Sequence, residues 1–196
     1  PLLEAHVTVS DERNAPILDL NQSNFALTED GIPVSNFTVR AIYEQPLAVV
    51  LAIDISESMG YGRPSSALGD TIASAKAMVS TLGEDDQIAV VTFSDQIKVV
   101  QELTKDKVKV IAALDSLKPE KNASLFSAIA ESALLLNNFS GRRAVLLFTD
   151  SADAGYAGYS FDEALDIAVR QNATFYPIFW GGANKEEMHK LANLTN

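Results

Sequence analysis

The sequence predicts an α/β fold with a doubly wound, mostly parallel sheet flanked by helices, preceded by a small β-strand leader. From residue 46 onward, short apolar runs alternate with amphipathic stretches at helical spacing, as in sheets whose strands are joined by crossover helices. The run from Leu47 to Asp54 is almost continuously apolar, which indicates a strand covered on both faces. We therefore divide the chain into a leader, residues 1–45, and a main domain, residues 46–196.

The leader has no helical pattern and is expected to form three or four short strands. Residues 6–9, 25–28 and 37–39 alternate apolar and polar side chains, as half-buried strands do. Residues 29–31, Glu-Asp-Gly, are typical of a tight turn, because glycine adopts positive φ at little cost. So short a segment buries little surface. We therefore expect the leader to pack on the main domain or on a partner.

The main domain is predicted to alternate strands and helices to its end. Its helices repeat apolar residues on one face, as Leu68, Ile72, Ala75 and Val79 do in the first. The predicted strands are 47–54, 87–93, 97–103, 143–150 and 174–180, and the predicted helices are 68–82, 105–116, 124–138, 161–171 and 185–194.

Two carboxylates stand at predicted strand ends, Asp54 and Asp150. Ligands of doubly wound sheets bind outside the carboxyl ends of the strands, where the strand order reverses. Ser56 and Ser58 follow Asp54 at spacings of two and four. Carboxylates and hydroxyls together form an all-oxygen site of the kind that Mg²⁺ prefers. Alternatively, Asp54 and the two serines cap the helix that follows, although Asp150 at a second strand end favours the metal.

Composition excludes several classes of function. The net charge of −11 argues against nucleic acid and against an anionic membrane surface as partners, because both require basic patches. The chain has no cysteine, so disulfides, thiol catalysis and zinc–thiolate sites are excluded. No apolar run approaches the length of a membrane span.

The stretch Asp54-Ile55-Ser56-Glu57-Ser58 resembles the metal-ion-dependent adhesion site of von Willebrand factor type A domains, Asp-x-Ser-x-Ser. The similarity covers about 46–196 and includes residues 89–94 and 147–150, where the family has an apolar strand ending in Thr-Asp-Gly. It implies that Asp54, Ser56, Ser58 and Asp150 bind Mg²⁺, or else Mn²⁺ or Ca²⁺, directly or through water. It also implies a non-enzymatic adhesion module whose protein ligand presents an acidic residue to the metal.

The chain departs from this family pattern in three places. The family supplies a threonine ligand from a loop before a helix, and the aligned position here is Ala123, whose methyl group cannot bind a cation. Either Ser124 reaches the metal from the next position or water replaces the threonine. Ser151 stands where the family has glycine after the strand-end aspartate. Type A domains usually continue into a last strand and helix, which we expect this chain to lack.

The leader resembles the segment that precedes type A domains in a group of bacterial secreted proteins, through residues 7–11, 24–25 and 29–34. That resemblance implies an extracytoplasmic, secreted or cell-surface location. Around the predicted metal we expect a rim formed by Tyr61, Arg63, Tyr156 and Tyr159, whereas Asp153 is expected to be an exposed loop residue.

Two other functions stay open at this point. An aspartate at a strand end of a doubly wound sheet also describes aspartyl-phosphate hydrolases, but these resemble Asp-x-Asp and use the second acid as a proton donor. Ser56 occupies that position here, and no Gly-rich nucleotide loop is present. The third possibility is a scaffold whose metal site has degenerated, for which Ala123 is the evidence.

Overall fold

A computed structural model describes residues 7, 9–12, 15, 17–40, 45–61, 66–150, 152–153 and 158–196. The chain forms two compact units, Pro1–Gln45 and Pro46–Asn196. Among the described helices, none combines the length and apolar character that crossing a bilayer requires.

In the described part of the first unit, β1 (Leu27–Glu29) and β2 (Ile32–Val34) form an antiparallel hairpin. Asp30 and Gly31 form its two-residue turn with φ values of 50° and 79°, so the predicted turn is confirmed. The predicted strand at 37–39 is wrong, because these residues adopt no strand structure and β1 pairs instead with the residues directly after the turn. A single 3₁₀ turn, Gln22–Asn24, was not predicted. The strand predicted at 6–9 lies partly outside the described residues.

The second unit is built on a five-stranded sheet with the order β5-β4-β3-β6-β7. Strand β5 is antiparallel to β4 and every other pair is parallel, which confirms the predicted fold class. The strands are β3 (Leu47–Asp54), β4 (Gln87–Phe93), β5 (Ile97–Thr104), β6 (Arg142–Thr149) and β7 (Thr174–Phe179).

Helices cover both faces of this sheet. A short 3₁₀-helix, Glu57–Gly60, lies between β3 and the first α-helix and was not predicted. Side chains at the N-cap positions of four of the α-helices accept hydrogen bonds from the first turn, which fixes where those helices begin. The α-helices are α1 (Ala67–Thr81), α2 (Lys107–Asp115), α3 (Leu125–Leu135), α4 (Phe161–Arg170) and α5 (Lys185–Thr195).

Strand β3 explains why the run from Leu47 to Asp54 is apolar throughout. Alternate side chains of a strand point to opposite faces of the sheet. Ala48, Val50 and Ala52 pack in one core with α3, α4 and α5, while the residues between them pack in a second core with α1 and α2. Both faces of β3 are therefore buried.

The strand order also fixes where a ligand would bind. The chain passes from β3 to β4 and β5 on one side, then returns to place β6 and β7 on the other side of β3. The order reverses between β3 and β6, so their carboxyl ends border the crevice in which ligands of such sheets bind. Asp54 is the last residue of β3, and Asp150 directly follows β6.

Candidate metal site

Asp54 is fully buried, with 0% of its surface exposed, at the carboxyl end of β3. Its Oδ1 accepts a hydrogen bond from the backbone N–H of Ser56 at 2.8 Å, and its Oδ2 accepts one from the Thr149 hydroxyl at 2.7 Å. Because both oxygens accept hydrogen bonds from fixed donors, the carboxylate is held in a single orientation.

The environment of Asp54 opposes its negative charge. Burial raises the pKa of this carboxyl above its ordinary value of 3.8, and the charge of Asp150 acts in the same direction. Hydrogen bonds from Ser56 and Thr149 lower the pKa but do not outweigh burial. A divalent cation beside such a group would favour the ionised form. Burial and the neighbouring carboxylate therefore both disfavour the ionised form of Asp54 in the absence of a cation.

The two serines and Asp150 form a connected polar group. The hydroxyls of Ser56 and Ser58 are 3.1 Å apart, and the Ser58 hydroxyl donates to Asp150 Oδ1 at 2.7 Å. The backbone N–H of Met59 bonds to the Ser56 carbonyl, and the Met59 side chain is fully buried, which anchors this turn. Hydrogen bonds therefore connect four of the five predicted ligands, three of them close in sequence and Asp150 distant.

These residues do not cap α1, which was the alternative interpretation. Ser66 occupies the N-cap position of α1, and its hydroxyl accepts from the N–H of Gly69 at 3.0 Å. Ser56 precedes the 3₁₀-helix but makes no side-chain cap bond there. The pattern of Asp54 and two serines is thus not explained by helix capping.

Ser124, the fifth predicted ligand, is placed differently. It precedes α3 and is only 6% exposed, and its hydroxyl has no hydrogen-bond partner within the described part of the chain. The structure therefore does not hydrogen-bond Ser124 to the other four residues. A buried hydroxyl without a partner costs about 1–3 kcal/mol, so this oxygen is suited to a ligand atom or water. Ala123 beside it is also buried, at 3% exposed.

The loop before Ser124 is tied to the ends of β3 and β4 by Glu120. Its backbone N–H bonds to the Ile55 carbonyl at 2.6 Å, and its carboxylate accepts from the Ser94 hydroxyl at 2.8 Å. Lys98 bonds to the same carboxylate at 2.8 and 3.0 Å. The hydrogen bond from Lys98 has the largest effect on the pKa of Glu120, which it lowers, and the bond from Ser94 lowers it further. Sequence analysis missed this anchor, because nothing in the local pattern connects residues so far apart.

Residues after β7 hold the backbone of Asp150. The N–H of Gly182 bonds to the Asp150 carbonyl at 2.7 Å. Gly181 has φ +62°, and a Cβ there would lie 2.9 Å from the same carbonyl oxygen. Only glycine fits this close approach. The Gly-Gly pair after a predicted strand is the sequence signal that indicates such a close approach.

The predicted rim is only partly found. Tyr61 is exposed, and its hydroxyl donates to Glu57 at 3.2 Å. Tyr159 is partly buried and packs against the core that contains α3, and its place at the rim stays a prediction. Asp153 is partly buried and accepts a hydrogen bond from the N–H of Phe126 at 3.2 Å, so it is not simply an exposed loop residue. Arg63, Ser151 and Tyr156 lie outside the described residues.

The donor set fits a hard divalent cation. Within the described ranges, no three acidic or histidine side chains come together as a metal site. Any cation at Asp54 and Asp150 would therefore rely on two carboxylates, hydroxyls and water. Mg²⁺ usually keeps several waters and binds through one or two carboxylates, so this sparse set of oxygens suits it.

Comparison with known proteins identifies the family. A family model described as von Willebrand factor type A domain matches residues 49–152, just over half of the chain. The chain belongs to the von Willebrand factor type A domain family. No curated protein sequence matches it significantly.

Solved structures share the fold of this type A domain at low sequence identity. A von Willebrand factor type A protein from Catenulispora acidiphila matches with TM-score 0.68 and 19% identity, covering 77% of this chain and 37% of that one. Proximal thread matrix protein 1 from the mussel byssus, with zinc in its metal-ion-dependent adhesion site (MIDAS) motif, matches with TM-score 0.65 and 22% identity. The match covers 76% of this chain and 39% of that one.

A mutant of the PilB minor pilin from Streptococcus sanguinis matches with TM-score 0.60 and 14% identity, covering 84% and 56%. The chain thus spans between about two fifths and just over half of the length of these proteins. At such identities the likeness concerns the fold.

Proposed function

We propose that this type A domain is a non-enzymatic, metal-dependent module for protein binding and adhesion. Its cation, Mg²⁺ or else Mn²⁺ or Ca²⁺, is held by Asp54, Ser56, Ser58 and Asp150. The observation that carries the proposal is the bonded chain from Ser56 through Ser58 to Asp150, beside a buried Asp54, at the switch point of the sheet.

The open face of the cation is the binding surface in this proposal. The protein supplies few oxygens, so exchangeable positions of the metal stay available to an acidic side chain of a partner. Family membership and the zinc-occupied motif of the mussel protein support a metal at this place. We propose Ser124 as a further ligand, because its buried hydroxyl has no hydrogen-bond partner among the described residues and Ala123 cannot replace the family threonine.

The two competing functions are less well supported. A hydrolase that forms an aspartyl phosphate uses a second acid, two residues after the nucleophile, as proton donor to the leaving group. Ser56 stands at that position here and cannot take this role. A scaffold with a degenerate metal site is favoured by Ala123 alone, and metal titration distinguishes it from the proposed module.

The proposed location is extracytoplasmic, on a bacterial cell surface or secreted. The similar folds include a minor pilin from Streptococcus sanguinis, and a further match with TM-score 0.51 is the tip protein of type V pili from Porphyromonas gingivalis. The expected partner is a protein that presents a carboxylate.

Thermal stability with and without metal tests the proposal. A ligand present at 100 times its Kd adds about 2.7 kcal/mol, which for a domain of this size raises Tm by about 5–10 °C. We expect this rise with Mg²⁺ or Mn²⁺ in the wild type and in an Asp85→Ala control, and its loss in Asp54→Ala and Asp150→Ala. An unchanged wild-type Tm, together with no anomalous peak at Asp54 in Mn²⁺-soaked crystals, would exclude the cation site.

The role of the loop at Ala123 has its own test. Ala123→Thr restores an oxygen at the family position and is expected to tighten metal binding, by about 1.4 kcal/mol for each tenfold gain. Ser124→Ala is expected to weaken it, because we assign Ser124 as a ligand. Isothermal titration calorimetry with Mn²⁺ measures both. Unchanged affinity in both variants would mean that this loop does not reach the metal.

A further inference from the structure

Glu57 and Tyr61 form an exposed pair beside the proposed cation site. Glu57 stands between Ser56 and Ser58 and begins the 3₁₀-helix Glu57–Gly60, and Tyr61 directly follows that helix. The Tyr61 hydroxyl donates to the Glu57 carboxylate at 3.2 Å. Both side chains are exposed, so they border the surface that a partner would approach.

Tyr61 is the most exposed aromatic side chain of the described residues, at 65%. Its backbone is nevertheless fixed, since its N–H bonds to the Ser58 carbonyl at 3.1 Å and its carbonyl accepts from Ala67 at 3.0 Å. An exposed ring on an ordered backbone loses little conformational freedom on binding. Tyrosine is enriched at binding hot spots, and its face attracts a guanidinium or ammonium group.

The charges around the site also favour a basic group on the partner. A divalent cation balances Asp54 and Asp150, so a partner carboxylate and Glu57 together leave an excess of about two negative charges. Glu57 accepts a hydrogen bond from Tyr61 and forms no ion pair with any described residue. The net charge of −11 adds long-range attraction for basic groups.

We infer that the partner segment carries a lysine or arginine within a few residues of the acidic side chain that reaches the cation. Glu57 pairs with that basic group, and Tyr61 contacts its charged end through the face of the ring. The inference rests on the proposed function, because the acidic residue of the partner is fixed by the metal.

Selection from a random peptide library displayed on phage tests this inference. The full chain is immobilised in Mg²⁺ and bound phage are eluted with EDTA, in parallel for wild type, Glu57→Gln, Glu57→Lys and Tyr61→Ala. Glu84→Lys is the matched control, because Glu84 lies in the turn before β4, whereas the proposed cation site lies at the carboxyl ends of the strands. The metal-induced rise in Tm of each variant shows that it is folded and binds the cation.

We expect wild type and Glu84→Lys to enrich peptides that hold an acidic residue with lysine or arginine nearby. Glu57→Lys should keep the acidic residue and lose the basic one. A peptide selected on wild type should bind Glu57→Gln and Tyr61→Ala about two- to fivefold more weakly, with a smaller difference at high salt.

The failures of the two proposals are distinguishable. EDTA-eluted peptides that hold an acidic residue without basic enrichment, or equal enrichment on Glu57→Lys, would overturn the inference and leave the proposed function standing. If EDTA releases no specific peptides, the inference fails together with the proposed mode of adhesion.

Discussion

Replacing Thr149 with valine is expected to destabilise the type A domain by about 2 kcal/mol. The Thr149 hydroxyl donates to Asp54 Oδ2 at 2.7 Å, and both residues have 0% of their surface exposed. Valine keeps the shape of threonine and removes the donor, so the buried carboxylate loses one of the bonds that lower its pKa.

The size of the effect follows from the kind of bond that is lost. Hydrogen bonds to charged groups contribute about 1.5–3 kcal/mol net, more than the 0.5–1.5 kcal/mol of neutral pairs. Because valine fills the same volume, no cavity adds to this loss. For a domain of this size, the change corresponds to a fall in Tm of about 4–8 °C.

Thr149→Ser is the matched control, because it keeps the hydroxyl and removes only a buried methyl group. That change should cost about 1 kcal/mol. Urea denaturation followed by circular dichroism at pH 7.5, in EDTA, compares the two variants with wild type. If the serine variant is destabilised as much as the valine variant, packing rather than the bond to Asp54 explains the burial of Thr149.

Three further predictions concern the rest of the fold. Gly181→Ala should destabilise the domain by about 1–2 kcal/mol and weaken Mn²⁺ binding in calorimetry, because its Cβ would lie 2.9 Å from the Asp150 carbonyl oxygen. Gly182→Ala is the control, since its Cβ would lie at an ordinary 3.5 Å from the same oxygen, and we expect smaller losses of stability and affinity. Hydrogen bonds from the N-cap residue of α4 hold the pKa of Glu163 below its ordinary 4.5, so its contribution is present above pH 4.5 and is lost as pH falls through the folded pKa. Glu163→Gln should therefore be less stable than wild type at pH 7, with a difference that narrows below pH 4.5 in thermal melts. The expected packing of the leader predicts that a 46–196 fragment is less soluble or less stable than the full chain, and equal behaviour of both in sedimentation and melting would contradict it.

The elements of the main domain were predictable because two-sided burial leaves a strong pattern. Strand β3 has apolar side chains in both cores, so its whole length is apolar and its end is marked by Asp54. The segment 37–39 lacks such support, since three alternating residues fit a strand only where a partner strand exists. In the leader the pairing is set by the turn at Asp30 and Gly31 instead.

The candidate site divides in the same way into local and distant parts. Asp54, Ser56 and Ser58 lie within five positions, so their spacing is visible in the sequence. Asp150 followed from the general rule about strand ends. The bond of Thr149 to Asp54 joins residues 95 positions apart, and the pattern at neither end indicates the other. Such supporting contacts depend on strand register, which sequence alone does not fix.

Ala123 shows why affinity and stability must be measured separately at this site. Its side chain is 3% exposed, so a threonine there must fit two more heavy atoms into packed surroundings, which typically costs about 1–3 kcal/mol. The loop before it is held by Glu120, bonded to Ile55, so its backbone has little freedom to adjust. Ala123→Thr should therefore melt lower than wild type in EDTA and gain more from Mn²⁺. A variant that loses stability without that larger metal-induced gain would show that the added hydroxyl does not face the cation.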